Sequence, residues 1–167
     1  MDTQLRHRPA RAILLAATAL AGVVLLGSGL LTGSQPVGAT HKHRVIETSE
    51  APEAIGPYSQ GIGAGPTLYL SGQLPMDPET GEVLADAPIE EQTERVLKNL
   101  DAVLRADGMT TRNVVSTTVY LADLDDFERF NAAYAEFFPH DPPARATVQV
   151  ARLPRDADIE ISAIAVR

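Results

Sequence analysis

"NVVSTTVYLADL", residues 113–124, decides how this chain folds. Val114, Val115, Thr117, Thr118 and Val119 are β-branched, and Tyr120 and Leu121 continue the run. Such side chains sit more easily on a pleated strand than on a helix. On either side the period changes. Upstream, Ile89, Val96, Leu97, Leu100, Val103 and Leu104 recur at helical spacing. Pro88, Glu90 and Glu91 suit the start of that helix, and Gly108 suits a left-handed stop. Downstream, Asp123 is placed to cap a second helix. Phe127, Phe130, Tyr134, Phe137 and Phe138 form one apolar stripe along it, and Pro139 ends it.

The flanks complete the pattern. Residues 44–48 form a short first strand. "SQGIGAGPTLYLSGQLP" (59–75) reads as two strands joined at Gly65-Pro66. "MDPETGEV" (76–83) is a turn opened by Asp77-Pro78 and closed by Gly81. Two strands, 145–152 and 158–166, finish the chain, and "PPARATVQVARL" (142–153) reads as buried, with Val148 and Val150 at period two. The order predicts an α+β fold: a single sheet with two helices packed on one face. The strands carry apolar residues on both parities, so the other face needs a cover. A second copy of the chain supplies one, and an oligomer is expected.

The 167 residues suit one domain behind an N-terminal segment. Arg6, Arg8 and Arg11 precede an uncharged run over residues 12–31, followed by Val37-Gly38-Ala39, a small-residue site of the signal-peptidase type. Residues 1–39 read as a signal peptide cleaved near Ala39 or as an uncleaved membrane anchor, residues 40–45 as a linker, and 46–167 as the domain. Either way the basic leader stays inside, which places the domain outside the cytoplasm, periplasmic, secreted or anchored through residues 12–31. The chain is −8 overall and its first 39 residues are +2, which leaves −10 for the rest. An acidic domain is poorly suited to nucleic acid. With no cysteine there is no disulfide, thiolate nucleophile or cysteine-held metal. His41 and His43 beside a terminus read as solvated tail, so no metal is expected.

Four positions do not fit a plain core. Asn131 puts an amide on the aromatic stripe of the second helix, where it needs a partner, structural or otherwise. Arg145 stands at the mouth of a strand, as a solvated charge or a grip on a ligand. Glu160 alternates with Ile159 and Ile161 and so faces away from them, an outward acid or a working one. Tyr58 follows the Gly56-Pro57 turn, as a packing lid or a hydrogen-bonding wall. No Ser-His pair, paired carboxylates or phosphate loop is visible. An enzyme built from these residues would hold a carboxylate with arginine and place a water with an acid.

"APEAIGPYSQGI" (51–62), "LYLSGQLPMDPETGEV" (68–83), "FERFNAAYAEFF" (127–138), "PPARATVQVARLP" (142–154) and "IEISAIAV" (159–166) together resemble the reactive intermediate deaminases, the RidA-type imine and enamine deaminases. The likeness is collinear from about residue 46 to the last. It implies a chorismate-mutase-like α+β fold and a homotrimer with sites between subunits. It also implies cofactor-free hydrolysis of 2-imino acids and their enamine tautomers, such as 2-aminoacrylate and 2-iminopropanoate, to 2-keto acids and ammonia. By position, Arg145 matches the arginine that binds the substrate carboxylate, and Glu160 the acid that positions water or relays its proton. Tyr58, Ser71 and Asn131 match pocket-lining residues. Thr147 stands in the pocket where many bacterial members have cysteine. If the last two strands form a hairpin through residues 154–157, Glu160 lies opposite about Val150, about 16 Å along the strand from Arg145. The two could then meet only across subunits. The alternatives are an exported, non-catalytic metabolite-binding or chaperone-like trimer of the same fold, and a ribonuclease, which the acidic charge opposes.

Overall fold

Helix α1 (Ile89–Ala106) begins after Pro88, carries Glu90 and Glu91 in its first turn and Arg105 in its last, and so has each charge at the end its dipole favours. Gly108 follows it at φ 69°, a conformation glycine adopts without a Cβ penalty. The face of α1 with Val96, Leu97, Leu100, Val103 and Leu104 is buried. The computed structural model describes residues 43–167. The leader expected over residues 1–39, with its apolar run, lies outside them. No helix among the described residues is long and apolar enough to cross a membrane.

Strands β1 (Arg44–Ile46), β2 (Gly61–Ala64), β3 (Thr67–Gln73), β4 (Val114–Leu121), β5 (Ala144–Gln149) and β6 (Ile159–Val166) form one sheet in the order β1-β2-β3-β6-β4-β5. Neighbours are antiparallel except β4 and β5, which are parallel. A parallel pair needs a crossover, and helix α2 (Phe127–Phe137) is that crossover. Both helices pack on one face: Leu68, Leu70, Val119, Leu121, Ile159 and Ile161 meet Leu97, Val103, Phe130 and Tyr134 in one core. Each such side chain, fully buried, contributes about 1.5–3 kcal/mol. The expected single sheet with two helices on one face is the fold observed.

The placement of the last two strands differs from the sequence expectation. β5 is not buried: five of its six residues are exposed, because it is the sheet edge with β4 as its one neighbour. It also makes no hairpin with β6. Instead β6 lies between β3 and β4, with Tyr120 paired to Glu160 on one side and to Val148 of β5 on the other. The connecting loop turns through Arg155 and Asp156 at φ 57° and 56°. It is held by Arg152 paired to Asp156 at 2.6 and 3.0 Å, and by Arg155 Nη1 donating to the Gly81 carbonyl at 3.2 Å. Asp123, expected to cap the second helix, accepts from Asp125 N at 2.9 Å and caps the 3₁₀ turn Leu124–Asp126 that leads into α2.

The face of the sheet away from the helices carries Val45, Tyr69, Val148 and Ile164, all exposed. A smaller apolar cluster of Leu74, Met76, Leu153 and Ala157, with Val83, Tyr120 and Val150, covers part of it.

Candidate functional site

Arg145 sits on β5 in register with Thr117 of β4, and both side chains face α2. Its guanidinium lies over that helix. Nη2 donates to Asn131 Oδ1 at 2.6 Å, and Cζ is 4.6, 4.9 and 5.9 Å from the ring centres of Tyr134, Phe130 and Phe127. Asn131 therefore finds its partner in Arg145. Arg145 is in none of the ion pairs among the described residues, so none of their carboxylates pairs with its charge. Thr147, two residues on along the same face, has a buried Oγ1 with no hydrogen-bond partner.

Glu160 lies on the other face. Its side chain is half-buried, and that burial pushes its carboxyl above the usual range. It rests against Gly72, at the irregularity that ends β3, where a methyl group would overlap the Glu160 carboxyl. Ser71 Oγ donates to the Ser59 carbonyl at 2.7 Å, and its backbone N–H to the Gln60 carbonyl at 3.0 Å. Tyr58 is exposed, its hydroxyl accepting from Ile55 N at 3.3 Å. Tyr58 and Gly72 share the walls of a small cavity of about 20 Å³. A wider groove of about 480 Å³, with Tyr58, Ser59 and Gln60 in its wall, contains neither Arg145 nor Glu160.

The sequence-predicted residues thus fall into two groups. Asn131, Arg145 and Thr147 are together at the β5 edge, and Tyr58, Ser71 and Glu160 are together around the end of β3. Register separates them: Arg145 is three residues along and two strands across from Glu160, about 14 Å by strand geometry, on the opposite face of the sheet. The hairpin supposed between the last two strands is absent, and the observed register still keeps Arg145 and Glu160 of one chain apart.

Three contributors were missed in the sequence. Gly72 shows itself as a glycine inside an apolar strand run, a mark of close approach. Gln60 lies in the quoted "IGPYSQG", is buried, and gathers the preceding loop. Its Nε2 donates to the carbonyls of Thr48, Ala51 and Pro52 at 3.0, 3.2 and 2.7 Å, and its Oε1 accepts from Thr48 N at 2.7 Å. Tyr134 stands in the sequence only as a member of the apolar stripe. No group of three or more metal-ligating side chains occurs among the described residues.

A mixed sheet is backed by two helices, with Arg145 outside the ion pairs of the described residues at one edge and the half-buried Glu160 carboxyl on the far face. Residues 48–167 match the family described as Endoribonuclease L-PSP, and the chain belongs to that family, which includes the RutC and RidA proteins. A RutC family protein of Saccharolobus solfataricus is 54% identical over 121 residues, 72% of this chain and 95% of that protein. A 2-iminobutanoate/2-iminopropanoate deaminase of Homo sapiens is 46% identical over 124 residues, covering 74% and 90%. The crystal structure of E. coli TdcF with bound serine superposes with a TM-score of 0.71 at 43% identity, covering 74% of this chain and 98% of that one.

Proposed function

We propose that this protein hydrolyses 2-imino acids and their enamine tautomers, such as 2-iminopropanoate and 2-aminoacrylate, to 2-keto acids and ammonia, without a cofactor. The observation that carries this reading is the split of one set of residues into two half-sites on opposite faces of the sheet. A homotrimer that covers the open face brings the Arg145 half of one subunit to the Glu160 half of the next. The exposed apolar residues of that face support such an assembly. The deaminase named among the relatives and the amino acid bound by TdcF support the reaction and the class of substrate.

In the mechanism, the fork of the Arg145 guanidinium binds both carboxylate oxygens of the imino acid. Asn131 fixes the plane of that fork. A water held by Glu160 adds to the imine carbon, and Glu160 takes the proton that the water loses. The same proton is returned to nitrogen, Glu160 then carries the hydroxyl proton of the tetrahedral adduct to the amine, the carbon–nitrogen bond breaks, and ammonia leaves as the keto group forms. A carboxyl raised by burial takes a proton and gives it back more readily than one at its ordinary value. Thr147 Oγ1, buried without a hydrogen-bond partner among the described residues, lies two residues from Arg145 on the same face of β5.

On the same reading the domain works outside the cytoplasm, which the basic residues ahead of an apolar N-terminal run support. Cell fractionation tests that location. The catalytic reading is tested with the purified protein and enzymatically generated 2-iminopropanoate. The expected result is faster appearance of pyruvate and ammonia, abolished in Arg145→Ala with the oligomer size unchanged. Undiminished turnover in Arg145→Ala overturns the reading, as does binding without turnover in the unmodified protein.

A further inference from the structure

We infer that Tyr134 is a positioning residue for the guanidinium of Arg145, and that the aromatic face of α2 is a platform for the carboxylate grip as well as part of the core. The inference rests on Arg145 being the carboxylate ligand. Phe127, Phe130, Asn131 and Tyr134 stand at helical spacings of three, four and seven, so all four lie on one face of α2. Arg145 lies across that face. The Tyr134 ring is the nearest of the three to Cζ, at 4.6 Å, with Phe130 at 4.9 Å. A cation over a ring face is attracted to it by the ring quadrupole.

The ring itself is anchored. Tyr134 Oη and Thr117 Oγ1 are 2.8 Å apart, both residues are buried, and Thr117 is the register partner of Arg145 on β4. Strand neighbour, ring, cation and strand therefore form a closed circuit: Thr117 holds Tyr134, Tyr134 supports Arg145, and β4 holds both strand residues in register. Asn131 takes one Nη2 hydrogen and fixes rotation in the plane. Ring and amide together leave the remaining guanidinium N–H groups for a bidentate ligand. Burial pushes the Tyr134 hydroxyl up, against the smaller opposing effects of the Thr117 bond and the Arg145 charge, so the ring stays neutral at physiological pH.

Tyr134 also packs on Phe130 and Phe138, with ring centres 5.4 and 4.8 Å away, so removing the ring would disturb the core. A series that keeps the shape avoids this: Tyr134→Phe, then the same position as phenylalanine with one, two and four ring fluorines. Fluorine drains the ring face while leaving the packing close to that of phenylalanine. The readouts are the Kd of 2-oxobutanoate, a keto-acid product, and the kcat and KM for imine hydrolysis. Relative to Tyr134→Phe, Kd and KM are expected to rise stepwise, to about five- to tenfold with four fluorines, with kcat and the melting temperature unchanged. In an Arg145→Gln background, which has no cation to lie on the ring, the same series is expected to change Kd less than twofold. A flat series with intact Arg145, or an equal one with glutamine, overturns the role of Tyr134. If Arg145→Gln leaves 2-oxobutanoate binding unchanged, the carboxylate-grip reading itself falls.

Discussion

Glu160 is half-buried on β6 against Gly72, and its carboxyl is raised because burial disfavours its charged form. A carboxyl whose folded pKa lies above its unfolded value favours folding at low pH, and that stabilisation is lost as pH rises through the folded value. At pH 7 the ionised side chain therefore costs stability. Glu160→Gln is expected to raise the melting temperature at pH 7, measured calorimetrically, while removing turnover. The acid limb of the parent's kcat profile is expected at a pH above the ordinary carboxylate value of 4.5. Gly72 is not at positive φ, so the glycine is there for space. Gly72→Ala is expected to displace the Glu160 carboxyl and lower kcat at least tenfold, on the order of a lost general base, with KM nearly unchanged in steady-state assays. At this scale the residues were legible and their partners were not. Glu160 alternates with isoleucines, which fixed its face, but nothing in "IEISAIAV" names Gly72 as the surface it lies on.

Helix α1 ends at Asp107, whose side chain is 7% exposed and receives Arg44 at 2.9 Å and Arg167 at 3.1 Å. Arg44 starts β1 and Arg167 follows β6, so one carboxylate ties the first strand and the chain end to the helix. Burial alone would raise this carboxyl, but hydrogen bonds from Arg44 and Arg167 outweigh it and hold it below the usual range. The stabilisation is complete above the unfolded pKa, near pH 4, and is lost as pH falls through the folded value. Asp107→Asn is expected to lower stability by about 1 kcal/mol at pH 7, since both arginines are open to solvent and screened, and by less at pH 3. Denaturant midpoints at the two pH values check this. The helices themselves were legible because caps, dipole charges and apolar period agree. β5 was misread because a β-branched run marks a strand without saying whether it has one neighbour or two.

For the whole molecule, the separation of Arg145 from Glu160 makes a test by mixing. Arg145→Ala and Glu160→Ala should each be inactive alone. Refolded together in equal amounts, the two variants are expected to recover about a quarter of the parental activity, since that share of sites in random trimers pairs an intact Arg145 half with an intact Glu160 half. Coupled assays on the refolded mixture measure it, and no recovery would rule out sites shared between subunits. The sequence by itself determined the element order and the two helices on one face, and it singled out the candidate residues of the site. These follow from local period, turn chemistry and collinear motifs. Only the tertiary structure decided that β6 inserts between β3 and β4, that β5 is a parallel edge, and that Arg145 lies on aromatic rings while Glu160 lies on glycine across the sheet. Strand adjacency and side-chain contact depend on residues far apart in the chain, and no local pattern encodes which of them meet.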